Sequence, residues 1–280
     1  MTIRSDIRSD DPVVATGPAL DAEPAAAVAW IREACQRNGF ALFAVQDPAV
    51  TGRAVLAETA RLLELGTTYI PAVYATDPDR FGYDADGFNT ISPTPTTTGH
   101  GSFGTCAAQG FHTDGTLEPI GHVGTSLLWF DRAARAGGHT TIFRAIEAFE
   151  DLRRIDPAGA AALTTDDALT RVARSFQPPP RASGPAFAEL DGRGLRTRWA
   201  DDGTEIWQLA GSHGVQRASA VERLRAMSQP GGRYRQDLAI PSRTGLVLCN
   251  GRIAHGRTAF TAGIGERVLI RGLYTQEVAQ

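Results

Sequence analysis

The stretch Gln109–Thr116 holds two potential metal ligands one residue apart. It reads Gln-Gly-Phe-His-Thr-Asp-Gly-Thr, so His112 and Asp114 lie on either side of Thr113. In an extended strand the side chains at i and i+2 point to the same face, so this imidazole and this carboxylate can reach one ion. Two protein ligands do not make a stable site, and a third has to come from elsewhere in the chain.

The best candidate for the third ligand is His255. It follows an apolar run at Gly245–Leu248 that is typical of a buried strand. Two histidines and one carboxylate that leave coordination positions open form the ligand set of non-haem iron(II) oxygenases. A zinc hydrolase could use the same three residues, although the sequence offers no obvious general base beside them. An iron(II) centre is therefore the first prediction and a zinc centre the alternative.

Two arginines on a predicted strand are a second chemical feature. Arg267 and Arg271 are four residues apart, so they share one face of a strand, while Val268 and Ile270 share the other. Two guanidinium groups that face a β core need anions, and guanidinium binds carboxylates through two parallel hydrogen bonds. The alternative is a pair of ordinary surface arginines.

The composition excludes several classes of function. All 28 basic residues are arginine, so the chain has neither the lysine of a Schiff-base enzyme nor that of a phosphate-binding P-loop. A G+C-rich genome would also explain this arginine bias. The net charge of −3 gives no indication of nucleic acid or of an acidic membrane as a partner.

Cysteine usage and hydropathy indicate the compartment. Cys35, Cys106 and Cys249 are odd in number, far apart and without a Cys-x-x-Cys pair, which suits a reducing environment. No apolar run approaches the roughly 18 residues that a membrane helix needs. We therefore expect a cytoplasmic protein without a membrane partner.

Periodicity predicts helices early in the chain and many short strands later. This order favours an α+β, mainly β fold, in which a double-stranded β-helix (a jelly roll, cupin-like) is buttressed by helices. The predicted helices are 25–36, 47–65, 146–155 and 218–227, and the predicted strands are 40–45, 123–130, 139–143, 235–240, 245–248 and 267–274, with shorter strands within 168–176, 185–200 and 204–210.

The domain organisation follows from two irregular segments. Residues 1–22 lack periodicity and are expected to form a flexible N-terminal arm, which leaves 23–280 as a single oxygenase domain. Residues 67–110 are rich in Pro, Thr and Gly and lead directly into His112. Long irregular loops in compact domains are usually lids or binding loops, so we expect a lid-like loop here; a disordered insertion is the alternative.

Four segments resemble the taurine dioxygenase and clavaminate synthase-like family of Fe(II)/2-oxoglutarate-dependent oxygenases. They occur in the order of that family and extend over about residues 110–274. The segments are Phe111–Asp114, Gly137–Thr140, Asn250–Phe260 and Glu266–Arg271.

The resemblance implies a role for each matched residue. His112, Asp114 and His255 would be the iron ligands and the catalytic centre, and Thr140 and Arg267 would bind the distal carboxylate of 2-oxoglutarate. Arg271 matches a second arginine that faces substrate in some members of the family. Asn89 and Gln109 are assigned to the substrate-binding wall only because they lie near the motif or in the loop that leads to it.

These assignments predict a dioxygenase that uses iron(II), 2-oxoglutarate and O₂. It would oxidise, and most simply hydroxylate, an unactivated C–H bond of a small molecule such as an amino acid or a secondary-metabolite intermediate, with release of succinate and CO₂. Related halogenases have a small residue where this chain has Asp114, so halogenation is not expected. The alternative is a catalytically silent jelly-roll protein that binds metal and 2-oxoglutarate.

Overall fold

A computed structural model describes residues 15–93, 104–261 and 266–279. The helices are α1 (Pro24–Asn38), α2 (Gly52–Leu62), α3 (Ala72–Ala75), α4 (Ala145–Ile155), α5 (Pro157–Ala162) and α6 (Gly214–Met227), with a 3₁₀ turn at Asp79–Phe81. The strands are β1 (Phe40–Ala44), β2 (Asn89–Ile91), β3 (Gln109–His112), β4 (Thr125–Arg132), β5 (Ala136–Gly137), β6 (Thr140–Phe143), β7 (Leu169–Val172), β8 (Arg181–Gly184), β9 (Phe187–Leu190), β10 (Gly194–Thr197), β11 (Ala200–Asp201), β12 (Glu205–Trp207), β13 (Arg235–Leu238), β14 (Thr244–Cys249), β15 (Ala254–Arg257), β16 (Phe260–Thr261) and β17 (Val268–Tyr274).

Two five-stranded antiparallel sheets form the centre of the fold. The first has the strand order β1-β14-β4-β17-β2, and the second has the order β11-β3-β15-β6-β13. Side chains from both sheets, among them Phe130 and Leu246 from the first and Ile142 and Leu238 from the second, form one buried cluster. This architecture confirms the predicted jelly-roll core with mainly β structure.

Helices cover the outer faces of both sheets. Helices α1 and α2 pack on the first sheet around Trp129, and α4, α5 and α6 pack on the second around Phe143. In β4, Leu128 and Phe130 face the core between the sheets, whereas Leu127 and Trp129 face the helices. Because successive side chains point to opposite faces, a strand buried on both sides is apolar throughout, as the continuous run Leu127–Phe130 shows.

The predicted elements are found, and most boundaries shift by a few residues. The second helix begins at Gly52 instead of Asp47, because the Thr51 hydroxyl accepts a hydrogen bond from the backbone N–H of Ala54 and caps it. The Asp156-Pro157 pair, predicted to end α4, also begins α5, with the Asp156 carboxylate accepting from the Gly159 N–H. Periodicity could not reveal so short a helix.

Residues 15–22, the part of the predicted N-terminal arm that the structure describes, contact the first sheet. The backbone N–H of Gly17 donates to the Leu42 carbonyl, and that of Leu20 donates to the Ala44 carbonyl. The side chain of Leu20 is also buried. This segment is therefore attached to β1, and only residues 1–14, which lie outside the described residues, are left for an arm.

The segment at 67–110 contains more regular structure than a loop. Helix α3, the 3₁₀ turn and β2 lie within it, and β2 pairs with β17 at the edge of the first sheet. The stretch 94–103 lies outside the described residues. That the rest acts as a lid stays a prediction. Within the described ranges, no helix combines the length and apolar character needed to span a bilayer.

Candidate active site

Three predicted metal ligands converge at one end of the space between the sheets. Their ligand atoms lie within 4.8 Å of one another, and all three side chains are buried. His112 on β3 and His255 on β15 are direct cross-strand partners, and their ring centroids are 4.5 Å apart. The Nε2 atom of His255 is 3.8 Å from Oδ2 of Asp114. The pairing of β3 with β15 thus brings together two histidines that are distant in sequence.

Each histidine has an orientation that suits metal binding. Nδ1 of His112 lies 3.1 Å from the Gly110 carbonyl, so an N–H at Nδ1 leaves the Nε2 lone pair for an ion. Burial and the neighbouring His112 lower the pKa of His255 to about 3. His255 is therefore neutral at pH 7, which is the form in which an imidazole ligates a metal.

Asp114 lies beyond the end of β3 and is held by other parts of the chain. Its Oδ1 accepts from Nη1 of Arg271 at 2.6 Å, and its Oδ2 accepts from the Ser126 hydroxyl at 2.7 Å. Burial would raise the pKa of Asp114, but Arg271 and the two histidines outweigh it and hold the pKa below its usual range. The carboxylate is thus ionised and ready to ligate.

Asn250 positions the backbone of Asp114. Its side-chain oxygen accepts from the Asp114 N–H at 2.7 Å, and its amide donates to the carbonyls of Asp114 and Val123 at 3.1 and 2.9 Å. All three bonds are buried. Sequence reasoning gave Asn250 no separate role because its partners are more than 120 residues away.

We expect Asn250→Ala to lower the melting temperature and to weaken metal binding. The substitution leaves one buried N–H and two carbonyls without the amide, and each unsatisfied buried group costs about 1–3 kcal/mol. Thermal unfolding and titration with Co²⁺ would measure both effects. Asn250→Asp keeps the acceptor but turns a carboxylate oxygen toward the two carbonyls, so it should bind metal no better than the alanine variant. Equal metal affinity in all three proteins would contradict this role.

The donor set fits a ferrous ion. Two imidazoles and one carboxylate from one side leave the opposite side open for other ligands, as in the 2-His-1-carboxylate centres of non-haem iron enzymes. A structural zinc site would use a closed set of four protein ligands. Among the described residues, these three are the one cluster of His, Cys, Asp and Glu that could hold an ion.

A small inner cavity lies beside the metal ligands and between the sheets. His255, Thr140 and Arg267 line it, together with apolar side chains such as Leu128 and Leu269. Arg267 is 3% exposed, and its Nη1 has no hydrogen-bond partner among the described residues. Burial and the neighbouring Arg257 lower the pKa of Arg267 to about 10, so the guanidinium stays charged at pH 7.

A buried, charged guanidinium without an anion calls for a ligand. The rings of Phe130 and Phe260 have their centroids 5.9 and 5.0 Å from the guanidinium carbon of Arg267, which gives cation–π contacts but no charge neutralisation. Leaving such a charge unpaired is costly. A small dicarboxylate that chelates the metal at one end and reaches Arg267 and Thr140 at the other would pair this charge.

A larger outer cleft opens beside the metal ligands. Gln109, His112 and Arg271 line both the inner cavity and the outer cleft, whereas Asp114 lines the cleft. The other lining residues divide into an apolar group and a polar group. The apolar group consists of Pro71, Tyr74, Ala173, Phe176 and Leu273. The polar group consists of Thr116, Arg174, Ser175, Asp202 and Thr204.

Asp202 is a residue of this site that sequence reasoning missed. It follows β11, whose pairing with β3 sets Ala200 opposite His112, and its Oδ2 lies 3.8 Å from Nδ1 of His112. Burial would raise the pKa of Asp202, but His112 and Arg171 hold it below its usual range. No local motif marks Asp202, because only the register of β11 against β3 brings it to the cleft.

The predicted substrate-binding residues have different positions. Gln109 lines the cleft, with its amide nitrogen 3.3 Å from Nε2 of His112. Asn89 does not line either cavity: it is 3% exposed, donates to the Phe81 carbonyl at 2.6 Å and accepts from Arg271 at 3.4 Å. Asn89 thus contacts Arg271, which itself contacts Asp114 and lines the cleft.

The chain is similar to proteins of one family. The model of the family described as "Taurine catabolism dioxygenase TauD, TfdA family" matches residues 9–274. Two curated relatives are each named "Uridine-5′-phosphate dioxygenase". The relative from Amycolatopsis sp. is 36% identical and that from Streptomyces sp. 33% identical, over 86% and 87% of this chain and 86% and 88% of their own lengths.

Solved structures share the fold at lower identity. An asparagine oxygenase in complex with Fe(II), hydroxyasparagine and succinate has a TM-score of 0.62 and 19% identity, covering 88% of this chain and 77% of its own. The non-haem iron oxygenase OrfP, in complex with iron and α-ketoglutaric acid, has a TM-score of 0.62 and 15% identity, covering 88% and 79%. These similarities support the jelly-roll architecture.

Proposed function

This chain belongs to the TauD/TfdA family of dioxygenases, and from that membership and the geometry of its site we propose that it oxidises a C–H bond of a nucleoside 5′-monophosphate. It is an iron(II)- and 2-oxoglutarate-dependent dioxygenase. The position of the His112, Asp114 and His255 cluster between the inner cavity and the outer cleft supports the reaction type. The names of the two relatives support the substrate class. Both curated relatives are named dioxygenases, so the catalytically silent alternative has no observation in its favour.

The three buried ligands would hold the iron, and the inner cavity would hold 2-oxoglutarate. When bound, iron and 2-oxoglutarate supply the oxidation: O₂ is consumed, 2-oxoglutarate becomes succinate and CO₂, and the second oxygen atom goes to the substrate. Arg267 and Thr140 would bind the distal carboxylate and thereby orient the cosubstrate. Leu128 and Leu269 would give the cosubstrate an apolar surface at this end of the cavity.

The outer cleft would bind the substrate, as its chemistry suits a nucleotide. Arg271 lines the cleft and supplies positive charge there, and it donates to Oδ1 of Asp114 at 2.6 Å. This charge would attract the phosphate of the substrate. Tyr74 and Phe176 contribute flat apolar surface, and Asp202 and Thr204 contribute polar groups. The names of the two relatives make uridine 5′-phosphate the first substrate to test.

Succinate formation dependent on substrate is the test of this proposal. The protein with Fe(II), 2-oxoglutarate and air should form succinate with uridine 5′-phosphate well above the rate without substrate, and should consume both in equal amounts. Uridine, which lacks the phosphate, and asparagine are the comparison substrates. Turnover with asparagine and none with uridine 5′-phosphate would overturn the substrate class and leave the reaction type standing.

A further inference from the structure

Two aromatic side chains from distant segments meet on one wall of the outer cleft. Tyr74 lies on α3, within the segment predicted to be lid-like, and Phe176 lies in the turn after β7. Their ring centroids are 5.8 Å apart at an interplanar angle of 45°. Both rings line the cleft, on the same side of the site as Pro71 and Leu273. We name the pair Tyr74 and Phe176 the aromatic wall.

A second layer of rings supports the aromatic wall from behind. Phe81 packs on Tyr74 at 4.9 Å and on Phe176 at 5.1 Å, and Tyr83 packs on Tyr74 at 5.9 Å. Helix α3 has four residues, which is too short to be stable without tertiary contacts. These ring contacts therefore fix α3 against the turn after β7 and give the wall a defined position before any ligand arrives.

The two rings of the aromatic wall are more exposed than the ring of Phe81, which packs against them. Phe81, in the second layer, is buried at 8% exposure, whereas Tyr74 and Phe176 are half-buried and contribute surface to the cleft. Burial raises the pKa of Tyr74 to about 12, so its phenol is neutral at pH 7. The wall is therefore an uncharged aromatic surface.

The remainder of the cleft is polar and complements this wall. Asp202 and Thr204 follow β11, and the Thr204 hydroxyl donates to Oδ1 of Asp202 at 2.6 Å, which leaves Oδ2 toward His112. Arg174 donates to the Gly203 carbonyl at 2.5 Å beside them. A ligand with one flat face and a polar, anionic remainder matches such a cleft better than a small amino acid does.

We propose that the aromatic wall of Tyr74 and Phe176 is the subsite on which the nucleobase of the substrate stacks, while the sugar and phosphate extend toward Arg271 and the metal ligands. The inference rests on the proposed function and adds the residues that select for a base. Every base has an aromatic face, so such a wall favours nucleotides over smaller anions without requiring base-specific hydrogen bonds.

The test compares a ligand that has a base with one that lacks it. Protein loaded with Fe(II) and 2-oxoglutarate under anaerobic conditions would be titrated with uridine 5′-phosphate and with ribose 5-phosphate. We expect Phe176→Ala to weaken the binding of uridine 5′-phosphate by roughly 5- to 150-fold, the range for loss of a base-stacking ring. The binding of ribose 5-phosphate should change far less, because this ligand has no base.

Two further substitutions distinguish the effect of ring stacking from the effect of side-chain volume. Phe176→Leu retains apolar volume but not a flat ring, so it should behave like Phe176→Ala. Phe176→Tyr restores the ring and should recover most of the affinity. Melting temperatures of all variants, and their affinity for 2-oxoglutarate, would show whether the fold and the inner cavity remain intact.

Three results would overturn the inference, and they have different meanings. An equal loss for both ligands would make the wall a structural element, and unchanged binding of uridine 5′-phosphate in Phe176→Ala would remove the subsite. In either case, turnover of uridine 5′-phosphate by the wild-type protein would still support the proposed function. If the wild-type protein neither bound nor oxidised uridine 5′-phosphate, the proposed substrate itself would be wrong.

Discussion

Arg267→Ala is expected to weaken 2-oxoglutarate binding by about 2–5 kcal/mol, or roughly 30- to 5,000-fold. The wild-type guanidinium is 3% exposed, and its Nη1 has no partner among the described residues. The carboxylate of the cosubstrate would thus pair with a guanidinium that folding has already removed from water. In the variant, that carboxylate would enter an apolar pocket without a counter-charge, which is the costly outcome.

Anaerobic titration of the Fe(II) protein with 2-oxoglutarate, followed by the visible absorption band of the complex, would measure this loss. Arg267→Lys keeps the charge but not the two-pronged geometry, so it should recover part of the affinity. Arg135, which is exposed and pairs with Glu266 at 2.7 Å, offers a control arginine near the same end of β17. Arg135→Ala should bind 2-oxoglutarate as the wild type does; an equal affinity in Arg267→Ala would contradict the cosubstrate assignment.

Asp114→Ala is expected to abolish metal-dependent turnover. The substitution removes one of three ligands and also leaves the buried Arg271 without its carboxylate, 2.6 Å away in the wild type. An uncompensated guanidinium beside the site would repel a divalent cation, so the loss should exceed that of a ligand alone. Titration with Co²⁺, with succinate formation as the second measurement, would detect it.

Ser126→Ala is the matched control for this substitution. It removes one hydrogen bond to Asp114 Oδ2, of 2.7 Å, but keeps the ligand. Residues that orient a metal ligand typically contribute about 10- to 100-fold in metal affinity, so this variant should retain measurable binding. Wild-type metal affinity in Asp114→Ala would show that Asp114 is not a ligand.

The clustering of His112, Asp114 and His255 was predictable from the sequence, whereas the way in which Asp114 is positioned was not. In a continuous strand, alternation of side chains would place His112 and Asp114 on the same side. However, β3 ends at His112, and hydrogen bonds with Asn250, Ser126 and Arg271 hold Asp114 in the site. The sequence spacing therefore singled out two residues that do lie close together, but strand alternation is not the reason. Arg267 and Thr140, which the family resemblance assigned to the distal carboxylate of 2-oxoglutarate, both line the inner cavity.

The walls of the outer cleft could not be predicted, because strand register and packing place them. Asp202 reaches the site through the pairing of β11 with β3, and Tyr74 and Phe176 meet only through tertiary packing. Asn89 shows the same limit: its position directly opposite Arg271 follows from the pairing of β2 with β17, and β2 lay within a segment that seemed irregular in sequence. Local patterns predict elements, whereas their register decides which side chains meet.

The most direct measurement is the absorption band of the anaerobic protein with Fe(II) and 2-oxoglutarate, recorded before and after uridine 5′-phosphate and air are admitted. We expect the band to form in the wild type and to be absent in Asp114→Ala. When substrate and air are admitted to the wild type, the band should disappear, and the succinate released should equal the 2-oxoglutarate consumed. A protein that forms no such band, or that retains it without releasing succinate, would contradict the conclusion that His112, Asp114 and His255 form the catalytic centre of a 2-oxoglutarate-dependent dioxygenase.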